Sequence, residues 1–214
     1  MRLVCISDTH GDHEMLDLPS GDVLIHAGDL TAHGDKQETV RFMRWLGAQS
    51  FEHKLCIAGN HDSFMEAEPA SCSQHALDNG VVLLNDSGFQ IEDVHFWGSP
   101  ITPKFLDWSF MRDPGEPIES HWRLIPEKTD VLITHGPPFG ILDRIQRVSG
   151  EIECTGCPSL LERVQQVTPC VHIFGHIHEG HGVFCEGNTS YYNVSSMNEH
   201  YRMAHDAVVI DVGN

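Results

Sequence analysis

Five short clusters of aspartate, histidine and asparagine contain the residue types that bind divalent metal ions. They supply seven candidate ligands: Asp8, His10, Asp29, Asn60, His135, His176 and His178. Mixed carboxylate and imidazole donors suit manganese, iron or zinc better than calcium. Seven ligands are too many for one tetrahedral ion. They suit a bridged pair of ions that keeps open positions for water and substrate.

A bridged pair of metal ions suits an in-line displacement, such as the hydrolysis of a phosphate ester. Two ions about 3.5–4 Å apart can clamp both the attacking and the leaving oxygen of an in-line displacement, and a hydroxide between them is available near neutral pH. We therefore expect two divalent metal ions, with Mn²⁺ preferred and Fe or Zn as alternatives. The expected activity is that of a metal-dependent phosphoesterase that attacks phosphorus through a metal-bridging hydroxide.

The clusters are informative because of what precedes them. A lone D-x-H or H-x-H pair is usually a surface accident, and an isolated histidine in a strand is more often a core residue than a ligand. Here each cluster follows a short apolar run, at residues 2–7, 23–27, 54–58, 131–134 and 171–174. Such runs predict buried strands, and open α/β sheets bind ligands at the carboxyl ends of their strands. The pattern predicts five strand ends that meet at one site.

The local backbone should also favour the site. Residues two apart on extended backbone point the same way, so both members of the Asp8/His10 and His176/His178 pairs can face one centre. Glycines at 28, 59, 136 and 175 are expected to let the backbone turn sharply beside the ligands.

The remaining elements are predicted from periodicity. Helices are expected over 37–47 and 158–167, and further strands over 81–84, 92–97 and 207–212. Residues 97–122 are rich in proline and aromatic residues, so we expect a long irregular segment. It either forms a rim or lid over the site or covers the edge of a sheet.

Composition limits the partners. The chain has 214 residues, is 40% hydrophobic and fits a single domain over 1–214. Its net charge of −18 argues against long nucleic acid and against a membrane surface as partners. A small phosphate ester remains compatible, because bound cations reverse the local field. The oligomeric state is left open.

Seven cysteines, without a recognisable signal peptide or membrane-spanning stretch, indicate reduced thiols and a cytoplasmic location. The lone Cys154/Cys157 C-x-x-C pair is expected to be a plain loop rather than a zinc site.

The series DTH, GDL, GNHD, THG and GHIH resembles the signature of the calcineurin-like metallophosphoesterases, and it spans residues 8–178. The segments WGSPITP, THGPPFG, FGHIHEGHG and YYNVSS are similar to the small metallophosphoesterase-domain (MPPED) group. The resemblance implies an α/β fold, a four-layer α-β-β-α sandwich. It implies that Asp8, His10 and His178 hold one metal, that Asn60, His135 and His176 hold the other, and that Asp29 bridges. Some members lack the equivalent of His176 and hydrolyse poorly, so we expect this chain to be a competent catalyst.

Two further residues are candidate catalytic groups. The resemblance implies that His61 faces the phosphate, where it would stabilise phosphoryl oxygens or protonate the leaving oxygen. Asp62 either holds the His61 ring in position or caps the helix that follows. Asn193 either approaches the site from the end of a strand or lies in a turn, and His181 either reaches the substrate or lies on the surface. Four other histidines are expected to be structural: His26, His33, His95 and His172.

The expected function is a phosphodiesterase that acts on small phosphodiesters, nucleotides included. One alternative is a phosphomonoesterase of the same fold. The other is a nucleotide-binding regulatory protein with weak catalysis, because intact ligands establish binding and not turnover.

Overall fold

A computed structural model of the chain describes residues 1–213. Fifteen strands are described: β1 Arg2–Ile6, β2 Val23–Ala27, β3 His53–Ile57, β4 Val82–Leu83, β5 Ser87–Ile91, β6 Val94–Ser99, β7 Thr102–Pro103, β8 Met111–Arg112, β9 Val131–Thr134, β10 Arg144–Gln146, β11 Ile152–Cys154, β12 Val171–Phe174, β13 Gly182–Glu186, β14 Thr189–Asn193 and β15 Val208–Asp211. The α-helices of the described residues are α1 Lys36–Ala48, α2 Ser63–Ala67, α3 Pro69–Asp78, α4 Glu116–Trp122 and α5 Pro158–Val167.

Most strands belong to two large sheets. The first has the order β15-β1-β2-β3-β4 and is parallel except for β15. The second has the order β13-β14-β12-β9-β6-β5, with a parallel centre and antiparallel edges. Two small two-stranded sheets, β7-β8 and β10-β11, lie outside them. In a parallel sheet all strands end at the same edge, so each large sheet presents its strand ends together.

Alternation along the strands produces the layers. In β1, Leu3 and Cys5 join a buried cluster that also contains Ile133 and Ile173 from the second sheet. This cluster is the interior between the two sheets. The intervening residues of each strand point to the opposite faces, where they pack against helices. The result is the expected four-layer α-β-β-α sandwich, with both faces of each sheet covered.

The helices follow from caps and apolar stripes. At the start of α1, the Asp35 side chain accepts a hydrogen bond from the Glu38 amide (2.9 Å), as an N-cap does. Proline occupies the first turn of α5, where its missing N–H is not needed. Both of these helices bury an apolar stripe: Phe42, Met43 and Leu46 in α1, and Leu160, Val164 and Val167 in α5.

The elements predicted from periodicity agree closely with the structure. Three strands and α5 have the predicted bounds, β1 ends one residue earlier than predicted, and β3 begins and ends one residue earlier. The strand predicted over 92–97 lies at Val94–Ser99 instead, because Glu92 and Asp93 form the turn of the β5–β6 hairpin. Residues 97–122 are less irregular than predicted, since they include β7, β8 and α4. Within the described residues, no helix is long and apolar enough to cross a membrane.

Candidate metal centre

The seven candidate ligands meet where the two large sheets present their strand ends. Asp8 and His10 follow β1, Asp29 follows β2 and Asn60 follows β3, all in the first sheet. His135 follows β9, and His176 and His178 follow β12, in the second sheet. Six of the seven are at least nine-tenths buried, and His176 is partly buried. The sandwich therefore brings together residues that are up to 170 positions apart in the sequence.

One group of ligand atoms consists of Asp8, His10 and His178, whose donor atoms lie within 4.8 Å of one another. The Nε2 atoms of His10 and His178 are 3.4 Å apart, and the His178 Nε2 is 3.5 Å from the Asp8 Oδ1. Two imidazoles and one carboxylate at this spacing can enclose a single divalent ion.

The second group consists of Asp29, His135 and His176. The His135 Nε2 lies 3.4 Å from the Asp29 Oδ1 and 3.0 Å from the Asn60 Oδ1. The other carboxylate oxygen of Asp29, Oδ2, lies 3.8 Å from the His10 Nε2 of the first group. The two oxygens of Asp29 therefore face different groups, a placement that suits a carboxylate between two ions.

The outer hydrogen bonds of two histidines fit a metal ligand. The His135 Nδ1 pairs with the Ala27 carbonyl at 3.0 Å, and the His178 Nδ1 pairs with the Asn198 carbonyl at 2.9 Å. A carbonyl only accepts, so each Nδ1 carries a proton, and whenever the ring is neutral its Nε2 lone pair points toward the cluster. Histidines that bind metals are oriented in this way by a carbonyl or carboxylate on the other nitrogen. The residues present therefore suit two divalent ions.

Asp8 is also held from outside. Its Oδ2 accepts hydrogen bonds from the Ser7 hydroxyl, from the Ser195 hydroxyl (2.8 Å) and from the His176 amide (3.0 Å). These donors fix the carboxylate and leave Oδ1 toward His178. They also connect the ends of β1, β12 and β14.

Strain is concentrated at the ligands. Four of them have a positive φ: Asp8 (52°), His10 (42°), Asp29 (55°) and His176 (67°). For residues other than glycine this left-handed conformation is uncommon, and it clusters at functional sites. Of the four glycines expected to let the backbone turn, only Gly28 has a positive φ, of 101°, and Gly136 also lies in a bend. The ligands make the other left-handed turns themselves.

Gly59 and Gly175 have a different role: they allow ligand carboxylates to lie close to the backbone. A Cβ on Gly59 would lie 2.3 Å from the Asp29 Oδ1, and one on Gly175 would lie 2.0 Å from the Asp8 Oδ2. Both distances are far below van der Waals contact, so only glycine leaves room for these carboxylates.

The opposite charges of neighbouring ligands shift their pKa values. Burial alone would lower the pKa of His135 and His178, but Asp29 and Asp8 outweigh it and raise each pKa to about 9. Burial alone would raise the pKa of Asp8 and Asp29, but the surrounding histidines lower both. Burial and the neighbouring His135 lower the pKa of His176 to about 4. The cluster therefore favours a cation between anionic carboxylates, and protons take that place when no metal is bound.

His61 lies beside both groups. Its amide donates to the Asp29 Oδ1 (2.8 Å), and its Nδ1 pairs with the Ala32 carbonyl at 3.2 Å. Its ring centroid is 4.5 Å from that of His10 and 4.3 Å from the nearer Trp108 ring. A third possible ligand group contains His10, Asp29 and His61, so geometry alone allows His61 to bind a metal.

The Asp62 side chain takes neither of its two expected roles. The Ala32 carbonyl, not Asp62, holds the His61 ring, and the Asp62 side chain makes no capping bond to α2. Its carboxylate instead accepts from the amides of Gly59 (2.7 Å), Leu30 (3.2 Å) and Thr31 (3.0 Å) and from the Thr31 hydroxyl (2.6 Å). The reason is that the side chain turns inward, beneath the loops that follow β2 and β3. Burial, reinforced by the charge of Asp29, raises the pKa of Asp62 to about 7.

Residues 195–201 were not predicted to take part in the site. Tyr201 has ring centroid distances of 5.0 Å to His10 and 5.1 Å to His178, and it has a positive φ of 54°. Asn198 and Ser195 hold ligands, as described above. Residues 197–201 carry no ligand motif and no periodicity, and the only signal in the sequence is the YYNVSS similarity, which includes Ser195 and ends at Ser196.

Other histidines and Asn193 brace the site from behind. The His26 Nε2 pairs with the Thr9 hydroxyl at 2.9 Å, and the His172 Nε2 pairs with the Thr134 hydroxyl at 2.8 Å. The Asn193 side chain donates to the Ile177 carbonyl at 2.8 Å. The His181 ring stacks on His205 with centroids 3.8 Å apart. Asn193 therefore supports the loop that carries His176 and His178.

Comparisons with known proteins agree with this geometry. The family model described as calcineurin-like phosphoesterase matches residues 1–180. The human metallophosphoesterase domain-containing protein 1 is 38% identical, over 99% of this chain and 71% of its own length. The UPF0046 protein C25E10.12 of Caenorhabditis elegans is 38% identical, over 99% of this chain and 81% of its own. The crystal structure of the Thermus thermophilus protein TT1561 has a TM-score of 0.64 at 13% identity, over 90% of this chain and 88% of its own.

Proposed function

The chain belongs to the calcineurin-like phosphoesterase family, and on that premise we propose that it is a phosphodiesterase that hydrolyses small phosphodiesters at a two-metal centre. The observation that carries the proposal is the position of Asp29, whose two oxygens face different histidine groups. A single-ion site would not need a carboxylate between two sets of imidazoles. The family implies a phosphoester hydrolase; the preference for diesters is the finer step.

In this proposal Asp8, His10 and His178 would bind one ion, Asn60, His135 and His176 would bind the other, and Asp29 would bridge them. When bound, two divalent ions supply a water of lowered pKa and neutralise charge on the phosphoryl oxygens. The donor set suits Mn²⁺, with Fe or Zn as alternatives.

His61 is proposed as the catalytic residue that touches the substrate. With Nδ1 donating to the Ala32 carbonyl, Nε2 is left for the substrate, and it can donate to a phosphoryl oxygen when the ring carries its second proton. Once protonated at both nitrogens, the ring can donate from Nε2 to the leaving oxygen as a general acid. The Ala32 carbonyl is an acceptor in both states, so the ring keeps its orientation while the proton moves.

Asp62 is proposed as a positioning residue. Its four hydrogen bonds tie the loop after β2, which carries Asp29, to the loop after β3, which carries Asn60 and His61. We expect Asp62→Ala to lower thermal stability and metal affinity together. Replacement of His61 should lower turnover alone.

The preference for diesters draws support from the surroundings of His61. Trp108 contacts His61 and is 42% exposed, so its ring can cover a substrate group beyond the phosphate. We further propose that residues 1–214 act as one domain in the cytoplasm, where the seven free thiols would stay reduced. The net charge of −18 argues against long nucleic acid as the substrate.

The test compares bis-p-nitrophenyl phosphate with p-nitrophenyl phosphate, using protein that has been stripped by chelation and reloaded with Mn²⁺. The proposal predicts faster hydrolysis of the diester, and loss of activity on renewed chelation and in Asp29→Ala. Faster hydrolysis of the monoester would instead assign a phosphomonoesterase. Two bound metals with no turnover of either ester would assign a binding protein with weak catalysis.

A further inference from the structure

Two fully buried histidines outside the proposed ligand set, His26 and His172, occupy equivalent positions in the two large sheets. Each lies on the strand next to one that leads into a ligand. His26 of β2 is opposite Ile6 of β1, and His172 of β12 is opposite Leu132 of β9. Each side chain can therefore reach the end of the neighbouring strand, where a ligand lies.

In the first sheet, the contact reaches the turn that carries Asp8 and His10. The His26 Nε2 and the Thr9 hydroxyl are 2.9 Å apart, and Thr9 is fully buried. Thr9 lies between the two ligands, which both have a positive φ, 52° and 42°. Strained conformations of this kind persist only where the surrounding structure holds them. The hydrogen bond to His26 anchors this strained turn at its centre.

In the second sheet, the contact brackets His135. The Thr134 hydroxyl, just before this ligand, donates to the carbonyl of Gly136, just after it, at 2.8 Å. This bond uses the only hydroxyl proton, so the oxygen can only accept from the His172 Nε2, which is 2.8 Å away. The His172 ring therefore carries its proton on Nε2 and fixes the hydroxyl that spans the ligand.

The rings of His26 and His172 are buried at a cost. Neither Nδ1 has a hydrogen-bond partner within residues 1–213, and an unpaired buried polar atom is unfavourable. Burial lowers the pKa of each ring to about 3, so both rings are neutral. Each packs against a phenylalanine, with ring centroids 4.9 Å apart for Phe42 and 5.0 Å apart for Phe174. An apolar ring would suit these surroundings better, but it could not bond to the threonine.

We propose that His26 and His172 are positioning residues, and that each supports one of the two metal ions through its threonine. His26 supports the ion proposed at Asp8 and His10, and His172 supports the ion proposed at His135. The inference rests on the proposed two-metal centre. Because the two hydrogen bonds lie in different sheets, each can be removed without the other, and each removal should weaken one ion only.

The experiment is anomalous diffraction from crystals equilibrated with a series of Mn²⁺ concentrations, because the occupancy of each peak gives a separate dissociation constant for each ion. Thr9→Val keeps the side-chain shape and removes the hydroxyl. It should weaken the ion beside His10 by about 10–100-fold, the usual effect of losing outer support of a ligand, and leave the other ion unchanged. Thr134→Val should weaken only the ion beside His135. Serine at either position keeps the hydroxyl and should restore the wild-type constants.

Two further sets of variants complete the test. His26→Phe and His172→Phe remove the same hydrogen bonds from the other side, so each should repeat the selective loss of its threonine partner. They also carry the test if a valine variant does not fold. Thr39→Val is the matched control, since Thr39 is also fully buried but its hydroxyl donates to the Asp35 carbonyl at the start of α1 (2.9 Å). It should leave both ions unchanged.

The outcomes separate this inference from the proposed function. Equal weakening of both ions, no weakening of either, or serine variants as weak as the valine variants would overturn the positioning roles. Two manganese peaks in the wild type would then still support the two-metal centre. Fewer than two peaks in the wild type at saturating Mn²⁺ would overturn the two-metal centre, and this inference with it.

Discussion

Gly59→Ala is a sharp test of the site, because it adds one methyl group next to the proposed bridging ligand. The new Cβ would lie 2.3 Å from the Asp29 Oδ1, 2.4 Å from the Asp29 backbone nitrogen and 2.7 Å from the His135 Cε1. Ordinary contact begins at 3.4 Å. The Asp29 contacts must therefore open by about 1 Å, and one of them is backbone, which no side-chain rotation can relieve.

A displacement of this size matters more for function than for folding. A misplacement of about 1 Å can lower turnover by about 10²-fold, and disturbed support of metal ligands lowers affinity by about 10–100-fold. We expect both losses in Gly59→Ala, measured by Mn²⁺ titration calorimetry and by hydrolysis of bis-p-nitrophenyl phosphate.

Gly80→Ala is the control for this variant. A Cβ on Gly80 would meet nothing within 4 Å, but its φ of 66° makes alanine strained there. It should cost about 1–2 kcal/mol of stability and leave metal binding unchanged. Wild-type metal affinity and turnover in Gly59→Ala would refute the close packing of Gly59 against Asp29.

The remaining predictions concern the histidines and Tyr201. His61→Ala should lower turnover by about 10²–10⁴-fold and keep both metals, as judged by metal analysis; loss of one metal would make His61 a ligand instead. In the metal-free protein, the raised pKa of about 9 for His135 and His178 adds stability that is fully present below about pH 6.5 and is lost as pH rises through about 9. The melting temperature of the chelated protein should fall as pH rises over this range, and saturation with Mn²⁺ should abolish this fall. The same pH dependence of the melting temperature with and without Mn²⁺ would contradict the assigned ion pairs. Manganese affinity should rise by about tenfold per pH unit below pH 9 for each proton released, and a flat profile would exclude the proton-for-metal exchange. Tyr201→Phe should retain metal and stability, because the ring contacts with His10 and His178 persist without the hydroxyl; loss of metal would give the hydroxyl a role in binding.

The order of strands and ligands could be predicted because each strand and each ligand motif is encoded by a few consecutive residues. Strands such as Val23–Ala27 and Val171–Phe174 are buried on both faces, so they read as continuous apolar runs that end at polar residues. The helix Pro158–Val167 combines a proline start with an apolar stripe. Each signal lies within a few residues, which is the range in which sequence patterns are reliable.

The features that were missed depend on tertiary contacts. The contacts of Asp62 could not be predicted, because they depend on where the loop containing Leu30 and Thr31 lies. The same holds for Asn198 and Tyr201, whose segment is irregular and gains its role only by lying against His178. The positive φ values of the ligands were also invisible, since strain of this kind is imposed by the surrounding fold.

The central claim, that two metal ions flank Asp29, is tested most directly by anomalous diffraction from crystals of the Mn²⁺-loaded protein. The account predicts two manganese peaks about 3.5–4 Å apart, one beside His10 and His178, the other beside His135 and His176, with the Asp29 carboxylate between them. A single peak, or a pair that Asp29 does not bridge, would contradict it.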